Sequence, residues 1–157
     1  MEILNRKASY NYFIEEKIEC GIELNGCEVK SIREGSCNIK DSYAYIRNNE
    51  VFLINMFIKK YKEGSIFNTD ETRKRKLLLH KNEIKKLRDK CEKQGYTLIP
   101  LKVYFNKNKV KIEIGICKGK KLFDKRESIK EKDIKRKLER ELKNSWFLSS
   151  LYVIINT

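Results

Sequence analysis

One histidine (His80), one proline (Pro100) and one tryptophan (Trp146) occur in 157 residues. A single imidazole excludes the usual multi-histidine metal centres. The five cysteines (Cys20, Cys27, Cys37, Cys91 and Cys117) contain no CxxC pair, so a zinc knuckle is not expected either. Five is also an odd number, which argues against a disulfide framework and for free, mostly buried thiols in a reducing cytosol. No stretch approaches the ~20 apolar residues of a membrane span. The opening MEILNRKASYNYF has no apolar core of a secretory signal. The patterns GxxxxGK[ST], GxGxxG and HExxH are missing, which removes the common phosphate-loop, dinucleotide and zinc-hydrolase readings. Glu15 and Glu16 are adjacent, so a strand would point them to opposite faces and they make no paired-carboxylate site. No Ser, Cys or Asp stands at a telling spacing from His80. The chain reads as non-enzymatic, the competing reading being a small nuclease or base-modifying enzyme with His80 as its base.

Positive charge is what the sequence has in excess. Lys and Arg number 36 against 22 Asp and Glu, a formal net charge of +14. Such a surface collects polyanions, so nucleic acid or an anionic membrane surface is the first partner to consider. The length fits one domain plus a tail. An apolar fraction of 40% is enough for a core and argues against disorder throughout.

Patterning predicts a small, mainly β antiparallel sheet of about six strands, with one good helix and a basic tail. Two short strands are expected between Tyr10 and Leu24, where Ile18, Cys20, Ile22 and Leu24 recur with period two. Val29 and Ile32 followed by Gly35 predict a short helix. Residues 41–55 read as a hairpin turning at Asn48-Asn49, since Asn tolerates positive φ. Residues 57–76 have no clean period and read as a long loop that re-enters the sheet near Lys76. Ile84, Leu87 and Cys91 predict a helix over residues 80–93, ended by Gly95. Strands over 97–105 and 110–117 form a second hairpin, with Pro100 marking an edge or a bulge. Patterning does not decide between a closed barrel and an open sheet. From Lys118 onward the strand pattern stops. Residues 118–143 carry twelve Lys/Arg and six Asp/Glu, and Ile134, Leu138 and Leu142 recur at helical spacing. Residues 144–157 carry no charge.

Two basic clusters favour nucleic acid. The run Arg73-Lys74-Arg75-Lys76 sits in a loop beside a strand and can neutralise phosphates without reading sequence. Asn5, Arg6 and Lys7 precede Tyr10, an aromatic ring that can stack on an unpaired base. Each charge run alone is as well explained as a solvated face. No zinc-finger, RNP1-like or helix-turn-helix signature separates RNA from DNA.

Six blocks then follow in order: NRKASYNYFIEE (5–16), GCEVKSIREG (26–35), NIKDSYA (38–44), TRKRKLLLHKNEI (72–84), PLKVYF (100–105) and GKKLFDKR (119–126). In this order the chain resembles the SmpB family (small protein B), the SsrA-binding proteins of bacterial trans-translation, from about Leu4 to about Leu142. The resemblance implies an oligonucleotide-binding-type (OB-like) β-barrel with two to three helices over residues 1–118. A basic C-terminal tail, partly helical or disordered when free, would occupy 119–157. It implies a cytoplasmic protein that binds the tRNA-like domain of tmRNA (SsrA RNA) and delivers it to a stalled 70S ribosome. There the body stands in for a missing anticodon arm at the decoding centre, and the tail enters the empty mRNA channel. Alanyl-tRNA synthetase and elongation factor Tu would be indirect partners. A monomer with no cofactor and no membrane association is expected.

By position, the resemblance assigns Asn5, Arg6, Tyr10, Glu19, Arg75, Lys76, Leu78 and His80 to the RNA-binding surface. Glu19 could accept from base or ribose donors, Leu78 could pack on a base or sugar, and His80 could hydrogen-bond a base. Gly119, Lys120, Lys121, Asp124, Lys125 and Arg126 match the stretch that leads the tail into the ribosome, where Asp124 is expected to order the turn. The chain departs from the family at its end. Family members finish in a basic tail, whereas residues 144–157 here are neutral and apolar. That segment could dock on the barrel, pair with another chain or reflect an altered reading frame.

Overall fold

The computed structural model describes residues 2–155, and side chains are described except at 65, 122, 123 and 143–155. The chain forms two compact units, Met1–Gly119 and Lys120–Thr157.

The first unit is a barrel. Its strands are β1 (Glu2–Leu4), β2 (Tyr12–Ile22), β3 (Cys37–Asn38), β4 (Tyr43–Arg47), β5 (Glu50–Ile54), β6 (Phe57–Ile58), β7 (Arg75–Leu78), β8 (Thr97–Asn106) and β9 (Lys109–Gly119). Six of them close an antiparallel ring in the order β8-β4-β5-β7-β2-β9, with β9 returning to β8. The barrel left open by patterning is therefore closed. β1 lies outside the ring on β8, and β3 pairs only with β6. Closure satisfies both edges of every long strand and leaves one interior to fill. Leu53, Met56, Leu77, Leu98, Ile112 and Ile116 fill it, each no more than 2% exposed.

The two strands expected between Tyr10 and Leu24 are a single 11-residue strand. Its register shifts between Ile14 and Glu16, and that irregularity breaks the sequence period without breaking the strand. Pro100 marks a second shift, between Pro100 and Lys102. The first hairpin turns on Asn48 and Asn49, with φ of 50° and 58°. These left-handed angles match the twist of the flanking strands. The long loop expected over 57–76 contains β6, a 3₁₀ turn at Ser65–Phe67 and the start of β7.

Four helices occur among the described residues: α1 (Ala8–Asn11), α2 (Gly26–Arg33), α3 (Lys81–Gln94) and α4 (Leu122–Ile155). α1 is a single turn, too short for periodicity to reveal. α3 buries Ile84 and Leu87 and ends on Gly95 at φ 68°, the left-handed C-cap that glycine supplies without strain. α4 runs through the whole of the predicted tail helix and beyond it. The side chains of the neutral segment 144–157, and residues 156–157 altogether, lie outside the described residues.

Candidate nucleic-acid interface

Period-two alternation decides which cations of the Arg73–Lys76 run face outward. Arg73 and Arg75 turn inward onto Glu28 of α2, and Lys74 and Lys76 turn outward. Arg75 is fully buried. Its Nε donates to Glu28 Oε1 at 2.9 Å, Nη1 to the carbonyls of Met56 (2.6 Å) and Arg73 (3.0 Å), and Nη2 to the Glu71 carbonyl (3.0 Å). Arg73 reaches the other Glu28 oxygen at 2.5 Å. The expectation that Arg75 touches RNA is thus corrected: all its donor groups are spent inside the barrel. The planar guanidinium fork suits this buried role and a lysine ammonium does not. Arginine alternating with lysine was the available signal, and reading the run as a solvated loop concealed it.

Burial works against the Glu28 charge. The hydrogen bonds from Arg73, from the Asn25 backbone N–H and from Arg75 outweigh it, and its carboxyl is held below the ordinary value. This network fixes β7 against α2 and so sets the position of the outward residues Lys76 and Leu78.

Those two residues line a cleft of about 460 Å³ together with Glu19 and His80. Four of the eight residues assigned to RNA therefore converge. β2 supplies Glu19, β7 supplies Lys76 and Leu78, and His80 caps α3. The His80 backbone N–H donates to Glu83 Oε2 at 2.8 Å, one arm of a capping box that fixes the residue at the rim. Leu78 is 54% exposed, beside a Leu77 that is only 2% exposed. Asn49, Glu50, Lys81, Glu83 and Lys111 complete the polar lining, and sequence reasoning missed all five. They come from three separate segments, and only the ring order brings them together.

The cleft balances its own charge, with three lysines (76, 81, 111) against three glutamates (19, 50, 83). Lys76 pairs with Glu50, and Lys111 stands 3.4 Å from Glu19. Tyr104 donates its hydroxyl to the other Glu19 oxygen. Long-range attraction of a polyanion thus comes from the surrounding basic surface. The cleft itself offers hydrogen-bond acceptors, donors and one exposed apolar side chain, a combination that discriminates rather than attracts. Lys76→Ala should lower the magnitude of the salt slope of RNA binding by roughly one unit or less, since Glu50 already neutralises part of that charge. A salt series of gel shifts measures this, and an unchanged slope would remove Lys76 from the phosphate contacts.

The N-terminal residues lie elsewhere. Asn5 is 6% exposed, and its Nδ2 donates to the carbonyls of Ile39 (3.1 Å) and Pro100 (3.0 Å). It ties the chain start to β8 and to the loop before β4, and its expected RNA contact is corrected to this structural role. Arg6 and Tyr10 are exposed at the same end of the barrel. β2 runs from Tyr12 at that end to Glu19–Gly21 at the other, roughly 25 Å at the usual strand rise. One nucleotide cannot span both.

The stretch leading into α4 begins at Gly119, which pairs with Tyr12 at the end of β9. The Lys121 N–H donates to Asp124 Oδ2 at 2.9 Å, and the Lys125 N–H to the Lys121 carbonyl at 3.1 Å. Asp124 thus orders the first turn of the helix. Lys120 Nζ donates to Ser128 Oγ at 2.9 Å, and Arg126 is exposed.

The family model described as "SmpB protein" matches residues 2–144. The chain belongs to the SmpB family. The SsrA-binding protein of Clostridium acetobutylicum is 55% identical over 141 residues, covering 90% of this chain and 91% of the relative. That of Caldanaerobacter subterraneus subsp. tengcongensis is 58% identical over 139 residues, 88% of each chain. Among solved structures, a chain described as "tmRNA-SmpB: a journey to the center of the bacterial ribosome" is 45% identical. It matches 77% of this chain and 85% of its own length at a TM-score of 0.65. The SmpB match stops at residue 144, where the uncharged segment begins.

Proposed function

We propose that this protein binds the tRNA-like domain of tmRNA and carries it to stalled ribosomes for trans-translation. Membership of the SmpB family over residues 2–144 carries this reading. The convergence of Glu19, Lys76, Leu78 and His80 on one exposed cleft supports it. The barrel unit is the RNA-binding part, and the unit from Lys120 onward is the part that enters the mRNA channel beyond the decoding centre. Lys120, Lys121, Lys125 and Arg126 supply cations at its root for a ribosomal RNA wall. Alanyl-tRNA synthetase and elongation factor Tu act on the RNA and not on the protein. The protein works as a monomer in the cytoplasm. Among the described residues, no helix is long and apolar enough to cross a membrane.

The role is binding without covalent chemistry. Cys20, the one thiol lining the cleft, donates to the Ile112 carbonyl, and burial pushes its pKa up to about 12. A thiol held protonated at neutral pH is no nucleophile.

The test is a gel shift comparing tmRNA with ordinary tRNA over a salt series. Affinity for both should fall with salt, while the preference for tmRNA persists at cytosolic ionic strength. Equal affinity for the two RNAs there would overturn the reading.

A further inference from the structure

Leu78 does not sit at the edge of the cleft but on a ridge between two clefts. A second hollow of about 410 Å³ lies on its other side, lined by Leu24, Val29, Asn108, Lys109 and Lys111. Gly21, Leu78 and Lys111 line both hollows. Gly21 is the cross-strand partner of Leu78. A Cβ on Gly21 would lie 3.2 Å from the Leu78 Cβ, so the missing side chain is what lets the leucine lie close over β2. The second hollow has the chemistry of a nucleotide site. Leu24 and Val29 give an apolar floor for a base or sugar, and Lys109 and Lys111 supply cations for a phosphate. Asn108 offers an amide. Its volume is within the range of small-molecule sites, about 300–1,000 Å³.

Resting on the RNA-binding reading above, we infer that Leu78 is a wedge between two consecutive nucleotides of an unpaired RNA segment. One nucleotide occupies the cleft beside His80, and its neighbour occupies the second hollow, with Lys111 and Lys109 on the phosphates. Apolar side chains inserted between bases unstack them, and unpaired RNA yields to this most readily because its bases are already free to splay. Gly21 acts as a positioning residue, because its missing side chain sets the height of the wedge.

The experiment compares four variants of the full chain against tmRNA by gel shift over a salt series and by nucleotide-resolution footprinting. Asn108→Ala/Lys109→Ala changes two exposed hairpin residues and should leave the melting temperature unchanged. It should weaken binding roughly tenfold, lower the salt slope by about one, and expose one nucleotide beside another that stays protected. Gly21→Ala should reproduce the loss caused by Leu78→Ala, with both neighbouring nucleotides losing their protection. The wedge is overturned if Asn108→Ala/Lys109→Ala binds and footprints like the parent while Leu78→Ala does not. That outcome leaves the RNA-binding reading standing. If Leu78→Ala and His80→Ala also bind like the parent, the reading of the cleft falls together with the wedge.

Discussion

Replacing Glu28 with Gln is expected to lower stability by roughly 3–5 kcal/mol, because it leaves a fully buried arginine without its counter-ion. For a unit of this size that corresponds to a fall of roughly 10–20 °C in melting temperature. Among the described residues, Glu28 is the only anion bonded to Arg75, whose other acceptors are main-chain carbonyls. Carbonyl dipoles solvate a guanidinium but do not cancel its charge. The pH profile carries a second signature. Glu28 has a folded pKa below its ordinary value of 4.5, so its contribution is fully present above that value. The contribution disappears as pH falls through the folded pKa. The parent should therefore lose stability on the acid side more steeply than Glu28→Gln. Thermal melts of both proteins from pH 7 downward check this, and parallel curves would deny Glu28 its role. Arg75→Lys should also destabilise, since an ammonium cannot reach the four acceptors in one plane.

Ending the chain after Gly119 should leave selective tmRNA binding intact and reduce tagging on stalled ribosomes to background. Gly119 is the last residue of β9, so the cut preserves every strand pairing of the barrel. All residues of both hollows precede it. The removed part carries much of the basic excess, so affinity for bulk RNA should fall more than affinity for tmRNA. The preference between the two RNAs should therefore rise. Gel shifts with competitor RNA read the first effect, and a reconstituted trans-translation reaction reads the second. Tagging retained by the truncated chain would show that the helical unit has no part in the ribosomal step.

The sequence by itself determined the class of partner and most of the elements. Net charge, the hairpins over residues 41–55 and 97–117, the Asn48-Asn49 turn and the α3 stripe are local or additive properties, and these survive intact in the structure. Burial and adjacency depend on how strands far apart in the chain come together, and there local reading failed. Arg75 and Lys76 look equivalent in sequence, yet alternation on β7 puts one in the core and the other at the cleft. Asn5 looked like an RNA contact and instead ties together two distant carbonyls, one in the loop before β4 and one in β8. Lys111, Glu50 and Asn49 carried no signal, because only the strand order β5-β7-β2-β9 brings them beside His80. The tertiary structure alone decided these, because a barrel sorts side chains by the face of a strand and by ring neighbours, and a linear pattern records only the first.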